Sequence, residues 1–264
     1  MRGLLKLIRC EFSKLRRKHF VSFVVLAALL FPIPFTALVL TGGVGSFNGF
    51  DAVFGMLLTL GEPVMLPVVL GIIAAMLFFM ERDNDTMKNL RTIPVSPTKL
   101  ATAKIAVLFL LGFVYSLATV ASSMVGGLIA GSVPTGILEK VVLSLVTSFL
   151  YTAGTLPVVI AIVWFNRSYI FSIILVFFYS MFDFFLAYGG MFASPDPAMQ
   201  LLTNIMPDPT IYRWLAGQFV LPGSPAYAVM EPYFLPLWLT TVVILILGGL
   251  SYLAIVRIYG KREG

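Results

Sequence analysis

Six long apolar segments constrain the fold of this chain more than any other feature of its sequence. They cover roughly residues 20–41, 63–80, 103–130, 140–164, 169–190 and 234–256. A bilayer core about 30 Å thick is crossed by about 20 apolar residues in a helix. We therefore predict an all-α integral membrane protein with six transmembrane helices.

The composition excludes the other common architectures. The chain is 59% hydrophobic and only 11% charged, which is typical of a protein whose solvent is mostly lipid. A transmembrane β-barrel would show alternating strands of about ten residues instead of long continuous apolar runs. Residues 20–264 are thus predicted to form one six-helix transmembrane domain, preceded by a separate segment at residues 1–19.

The basic residues predict the orientation of the helices. Sixteen of the 18 Lys and Arg residues lie near the two termini, between the second and third segments or in the turn at 165–168, and only Lys140 and Arg213 lie on the other side. Cytoplasmic loops carry the excess of Lys and Arg, so both termini are predicted to be cytoplasmic. Acidic residues, Glu62 and Asp208 among them, collect on the opposite side. Because the basic residues border membrane helices, nucleic-acid binding is not expected.

Residues 1–19 have the pattern of an amphipathic helix. Leu4, Ile8 and Leu15 recur at helical spacing, whereas Lys6 and Arg9 fall on the other face. We expect a cytoplasmic interfacial helix with its basic face among anionic headgroups. The alternative is a basic segment that only sets the orientation.

Small residues follow one face of the third segment at spacings of four: Ala118, Ser122, Gly126 and Ala130, with Gly127 and Gly131 adding a GxxxG pair. Such residues let two helices approach closely. We predict a helix-packing face there, and it is also a candidate contact for a second subunit.

Asp183 is the only acidic residue that these boundaries place deep inside a crossing. It follows the cytoplasmic end of the fifth segment by about 14 residues, which is roughly 21 Å along a helix and in the outer half of the bilayer. Intramembrane carboxylates are costly and often functional. Asp183 and the nearby Tyr179 are therefore candidates for a transport path, with a purely structural role as the alternative.

The stretch 191–233 is too interrupted to cross the membrane and too apolar for a free linker. It contains seven prolines and several apolar clusters. We predict a pair of short extracytoplasmic helices, interfacial or re-entrant, that are broken at residues 206–209. Such a hairpin either caps an exit path or only covers the bundle.

A charged segment from Glu81 to Lys104 interrupts the apolar sequence after the second crossing and is expected to lie in water. Asp83 or Asp85 is suited to cap a short helix that Pro94 ends, and Ser96 with the proline after it is a typical helix start. The prediction is a cytoplasmic helix at 83–95 that presses an apolar face into a groove on a partner. A solvated loop is the alternative.

This segment resembles a known family. The order Glu81, Thr86, Leu90, Pro94-Val95-Ser96 and Lys104 is similar to the segment after the second crossing in ABC-2-type transporter permeases. The six-helix layout resembles in particular the small permeases of bacitracin-resistance and lantibiotic-immunity systems.

The resemblance implies a transport subunit of the bacterial cytoplasmic membrane that is not itself an enzyme. The chain has no GxxxxGK[ST] loop, so ATP and Mg would be bound by a separate cytoplasmic ABC ATPase, present in two copies. A second permease, identical or related, would complete the pathway for an amphipathic peptide, drug or lipid that is exported. The 83–95 helix would couple to the ATPase through Glu81, Asp83, Thr86, Met87, Leu90, Arg91, Pro94 and Ser96.

Two other functions fit the same layout. One is an ion-coupled secondary transporter or channel that uses Asp183, and the other is a membrane anchor that recruits a cytoplasmic protein without transport. An enzyme fits poorly, because His19 is the only histidine and Cys10 the only cysteine. No catalytic, cofactor or metal site is therefore predicted in the chain.

Overall fold

The computed structural model describes residues 2–17, 19–42, 48–83, 96–165 and 168–263, and all of its regular elements are helices. The first half comprises α1 (Arg2–Arg17), α2 (Phe20–Leu30), α3 (Pro32–Gly42), α4 (Gly49–Met56), a π-helical turn (Leu57–Gly61), α5 (Glu62–Asp83) and α6 (Pro97–Ile129). The second half comprises α7 (Ile137–Phe165), α8 (Tyr169–Tyr188), α9 (Pro197–Ile205), α10 (Pro207–Phe219), α11 (Pro225–Met230) and α12 (Leu237–Glu263). Short 3₁₀ turns occur at Met191–Ala193 and Glu231–Tyr233.

Six parts of the described chain are long and apolar enough to cross a membrane, which confirms the predicted all-helical membrane fold. These six spans are Ser22–Gly42, Gly49–Phe79, Pro97–Ile129, Ile137–Phe165, Tyr169–Tyr188 and Leu237–Lys261. Spans 2 and 4 are the most buried, with 72% of the residues in their most apolar windows inside the protein, against 28% for spans 1 and 6. Spans 2 and 4 therefore form the centre of the bundle.

The two ends of the bundle are distinct. The terminal end holds α1, the last turns of α5 and the C-terminal part of α12, where Phe78 and Tyr259 pack edge to face with ring centroids 5.5 Å apart. The hairpin end holds α9 to α11 and the first turns of α4 and α7. The short helices α9 and α10 meet at Met206, where the backbone is extended before Pro207.

Span 1 is built from two helices because Pro32 interrupts it. A proline inside a helix donates no backbone hydrogen bond and frees a carbonyl of the preceding turn. Here α2 ends at Leu30 and α3 begins with Pro32 itself, and the Thr36 hydroxyl donates to the Pro32 carbonyl at 3.1 Å. Because both α2 and α3 are regular helices on either side of this break, together they still make up span 1, Ser22–Gly42.

Span 2 begins earlier than the apolar pattern predicts, at Gly49 instead of residue 63. Asn48 caps α4, since its side chain accepts a hydrogen bond from the Phe50 N–H at 3.2 Å. The chain then continues through the π-helical turn into α5 without leaving the bundle. The predicted boundary is wrong because Asp51, the glycines and Glu62 lower the hydropathy of this stretch although it is helical.

Candidate functional site

A group of buried polar side chains occupies the hairpin half of the bundle and is the first candidate site. We call Glu62, Tyr151, Asp183 and Asp208, together with the half-buried Tyr188, the buried acid cluster. Tyr151 interacts electrostatically with the other four residues, although they come from α5, α8 and α10. Glu62, Asp183 and Asp208 are each no more than 2% exposed. Three carboxyl groups are thus held inside a mostly apolar bundle.

The start of α10 is bound directly to span 5. Pro207, the first residue of α10, has no N–H, and the preceding Met206 offers no capping side chain. The next backbone donor, the Asp208 N–H, instead meets Asp183 Oδ2 at 3.1 Å. Asp183 therefore takes the role of an N-cap from a different helix, and a carboxylate in that place is favoured by the helix dipole.

Close packing brings span 4 to the same point. A Cβ on Gly154 would stand 2.6 Å from Pro207 Cβ, so only glycine allows α7 and α10 to approach this closely. The Tyr179 hydroxyl donates to the Gly154 carbonyl at 2.7 Å. Tyr179, one of the two candidates for a transport path, thus bonds to α7 and not to Asp183. Its hydrogen bond fixes α8 against α7 beside the acid cluster.

Two acidic residues expected outside the membrane lie within the bundle. Glu62 is 1% exposed in span 2, so Asp183 is not the only acidic residue inside a crossing. Asp208 is 2% exposed, because α10 folds inward against α8. Burial, and then the nearby charge of Asp183, raise the pKa of Asp208 well above its usual value. Both placements correct the sequence prediction, which used local hydropathy alone.

A cavity of about 900 Å³ opens at the hairpin end between α4, α7, α10 and the start of α12. Its wall is mostly apolar, including Phe54, Leu143 and Trp214, and its charged residues are Asp51, Glu139 and Lys140. Such a combination of apolar wall and few polar groups is typical of ligand pockets. The cavity suits a molecule with an apolar body and a charged group.

Two of the three charged residues that line the cavity, Asp51 and Lys140, neutralise each other. Lys140 Nζ lies 2.7 Å from Asp51 Oδ1 and 5.0 Å from the centre of the Phe50 ring. It also donates to the Thr135 carbonyl at 2.9 Å. Glu139 has no ion-pair partner among the described residues, so the cavity keeps one exposed negative charge.

The small-residue face of α6 packs against helices of the same chain. A Cβ on Gly126 would meet Thr36 Oγ1 at 2.3 Å, and one on Gly127 would meet Phe50 Cα at 2.8 Å. The Ser122 hydroxyl donates to the Ala28 carbonyl at 3.2 Å. Ala118 and Ala130 are half-buried along the same face. The face therefore joins α6 to α2, α3 and α4, and its use as a contact for a second subunit stays a prediction.

At the terminal end, an ion pair buries a residue that was expected in water. Lys104 is fully buried and contacts Glu11 Oε2 at 3.2 Å and the Leu77 carbonyl at 2.6 Å. Glu11 also pairs with Lys14 on α1. The prediction that Lys104 lies in water is wrong. Its buried partner, Glu11, lies 93 residues earlier in the chain and cannot be identified from the charged segment alone.

The predicted coupling helix at 83–95 falls almost entirely on residues 84–95, which lie outside the described residues, as do Thr86, Met87, Leu90, Arg91 and Pro94. The backbone of Glu81 and Asp83 belongs to the last turn of α5. Ser96 occupies the N-cap position of α6, followed by Pro97 at the first turn, as the sequence predicts, although its hydroxyl makes no capping bond. The coupling role of all eight residues stays a prediction.

One comparison with known proteins identifies a relationship. A family model described as "ABC-2 family transporter protein" matches residues 7–183, about two thirds of the chain. The search of curated proteins found no match to the chain. The matched region runs from α1 to Asp183 and thus includes spans 1 to 4 and most of span 5.

Proposed function

The chain belongs to the ABC-2 family of transporter proteins, and from this premise we propose that it is the permease subunit of an ATP-driven exporter. The family is a membrane transport component that is not itself catalytic, and it implies an ABC ATPase as partner. We expect two ATPase subunits, which bind ATP and Mg, and two permease subunits, identical or related. Both termini would face the cytoplasm of a bacterial cell.

The cavity at the hairpin end is the observation that best supports an amphipathic cargo. Its apolar wall is large enough for hydrocarbon or aromatic groups, and Asp51, Glu139 and Lys140 border it. An amphipathic peptide, drug or lipid would place its apolar part on the wall and its charged part at this border. In the proposed orientation the cavity faces the outer leaflet, which fits release from the cell or extraction from the membrane.

The terminal end has features that suit transmission of movement from the ATPase. Lys104 joins α6 to both Glu11 on α1 and the Leu77 carbonyl on α5. In the chain, α5 ends just before the proposed coupling segment 84–95 and α6 begins just after it. A push on that segment would therefore move α5 and α6 together with α1.

Substitution of the proposed docking face tests the function. The chain is co-expressed with its ATPase and purified by a tag, and we expect Met87→Asp plus Leu90→Asp to remove the ATPase without loss of the membrane fold. A matched control, Val133→Asp plus Val229→Asp, introduces the same charges at exposed apolar side chains of the hairpin end and should keep the ATPase. Normal ATPase recovery with the Met87/Leu90 variant would contradict docking at this segment.

A further inference from the structure

The contact between α8 and α10 brings together two carboxyl groups that cannot both be charged at low cost. Asp183 and Asp208 are each 2% exposed, and the Asp208 backbone donates to Asp183 Oδ2. Neither residue has an ion-pair partner among the residues that the structure describes. Two carboxylates held close together in an apolar site repel each other, and such a pair relieves the repulsion by retaining a proton.

The two carboxyl groups differ in what stabilises a negative charge. Asp183 accepts a backbone hydrogen bond at the N-terminus of the 13-residue helix α10, where the helix dipole favours an anion. Asp208 Oδ2 is buried and has no hydrogen-bond partner among the described groups. Asp183 Oδ1 is likewise without a partner among these groups, so the backbone hydrogen bond to Oδ2 is what makes a negative charge less costly on Asp183 than on Asp208.

From this geometry we infer that Asp208 is a proton-binding site whose proton holds α10 against span 5. The proton removes the negative charge of Asp208 and leaves Asp183 free to cap α10 as a carboxylate. When the proton leaves, two carboxylates occupy the same buried site. Their repulsion weakens the one hydrogen bond that joins Asp183 to the start of α10.

The neighbouring titratable groups do not supply a compensating positive charge. Tyr151 on α7 and Tyr179 on α8 interact electrostatically with both carboxyl groups. Tyr188 on α8 interacts with Asp208, and Glu62 on α5 interacts with Tyr151. On α10 itself, Tyr212 interacts with Tyr188, and Arg213 directs its guanidinium to the Tyr233 carbonyl and Asn204. The guanidinium of Arg213 is thus bonded elsewhere, and the described groups found to interact electrostatically with Asp208 are all acids, namely Asp183, Tyr151, Tyr179 and Tyr188.

The sign of the pH dependence follows from the raised pKa of Asp208. Burial is the main cause of that increase, and the charge of Asp183 adds to it. A group whose pKa is raised in the docked state stabilises that state fully below its ordinary pKa, and loses this effect as the pH rises through the raised value. Docking of α10 should therefore be strongest in acid and weaken towards alkaline pH.

The test is infrared spectroscopy of the purified full-length chain in lipid, since a protonated carboxylic acid has a C=O stretching band that a carboxylate lacks. We expect the wild type to show such a band, part of which disappears as the pH is raised. Asp208→Asn should lose this titrating part, whereas Asp196→Asn, a matched change at an exposed N-cap of α9, should keep it. Glu62→Gln identifies any band that belongs to Glu62.

Asp183→Asn distinguishes the two carboxyl groups and does not depend on whether Asp208→Asn folds. It removes the neighbouring charge, so the band of Asp208 should persist and its titration should move to lower pH. Loss of the band in Asp183→Asn, or an unchanged titration in Asp208→Asn, would overturn the assignment of the proton to Asp208.

Hydrogen exchange reports on docking separately. After correction for the intrinsic pH dependence of exchange, the protection of α10 relative to α12 should fall with rising pH in the wild type. In Asp208→Asn the relative protection should be independent of pH. The proposal would be contradicted if the relative protection of wild-type α10 did not change with pH. It would also be contradicted if the protection declined equally in the wild type and in Asp208→Asn.

Discussion

Lys104 and Glu11 form an ion pair that is shielded from solvent, with 3.2 Å between Lys104 Nζ and Glu11 Oε2 and side chains only 1% and 2% exposed. The pair joins α1 to α6, and the Leu77 carbonyl adds α5 to the same contact. The N-terminal helix α1 is thus joined to the transmembrane bundle by a buried ion pair.

Removal of one partner should destabilise the terminal end strongly. Lys104→Met removes one of the two cations that pair with the buried Glu11 carboxylate and leaves only Lys14, so we expect a loss that approaches the cost of breaking a buried pair, about 3–5 kcal/mol. Replacement of both residues, Lys104→Met with Glu11→Leu, should recover much of the loss, because the buried Glu11 carboxylate is removed together with the Lys104 cation. Thermal unfolding of the purified protein measures both effects, and a Lys104→Met variant as stable as the wild type would show that the pair is not needed.

Gly127 should tolerate no larger residue. A Cβ at this position would lie 2.8 Å from the Phe50 Cα, which is backbone and cannot rotate away. We expect Gly127→Ala to destabilise the protein by about 1–3 kcal/mol through overpacking between α6 and α4. Gly249→Ala is the control, since nothing lies within 4 Å of its Cβ position on α12. Equal thermal stability of the two variants would argue against close α4–α6 packing.

Filling the cavity at the hairpin end should impair binding of an amphiphile. Val146 lines the cavity, and Val146→Trp adds a large side chain to its wall. Titration of the purified chain with the cationic amphipathic dye rhodamine 6G, followed by fluorescence anisotropy, should show an affinity at least about tenfold lower, equivalent to about 1.4 kcal/mol. Val242→Trp, at an exposed position on α12, should bind like the wild type. Equal dye affinity in the two variants would place the binding site elsewhere.

The sequence predicts the helical fold well because the physics of a bilayer acts on continuous stretches of residues. An apolar run of about 20 residues has few alternatives to a crossing helix, and all six crossings are found. The sequence places the start of span 2 too late, because polar groups at its true start are satisfied by partners from distant parts of the chain. Gly49, for example, donates its N–H to the Ser132 hydroxyl at 2.9 Å, a contact between residues 83 positions apart.

Of the two carboxyl groups in the candidate site, the sequence predicts the importance of Asp183 but not that of Asp208. Asp183 stands out because it interrupts an apolar run, and burial of its side chain agrees with that signal. Asp208 carries no such signal, since it lies between two prolines in a stretch that is too interrupted to be predicted as a membrane crossing. Its partnership with Asp183 arises only when α10 folds back against span 5, which depends on Gly154 leaving room for Pro207.

The most direct test of the central proposal is purification of the tagged chain from its native host in mild detergent. The co-purifying proteins are identified and quantified by mass spectrometry, and ATP hydrolysis by the complex is measured. We predict a P-loop ATPase in equal amount to the permease, with magnesium-dependent ATP hydrolysis. A chain that is recovered alone and without nucleotide-linked activity would contradict the ATP-driven exporter and would favour an ion-coupled transporter, with Asp183 as the next residue to substitute.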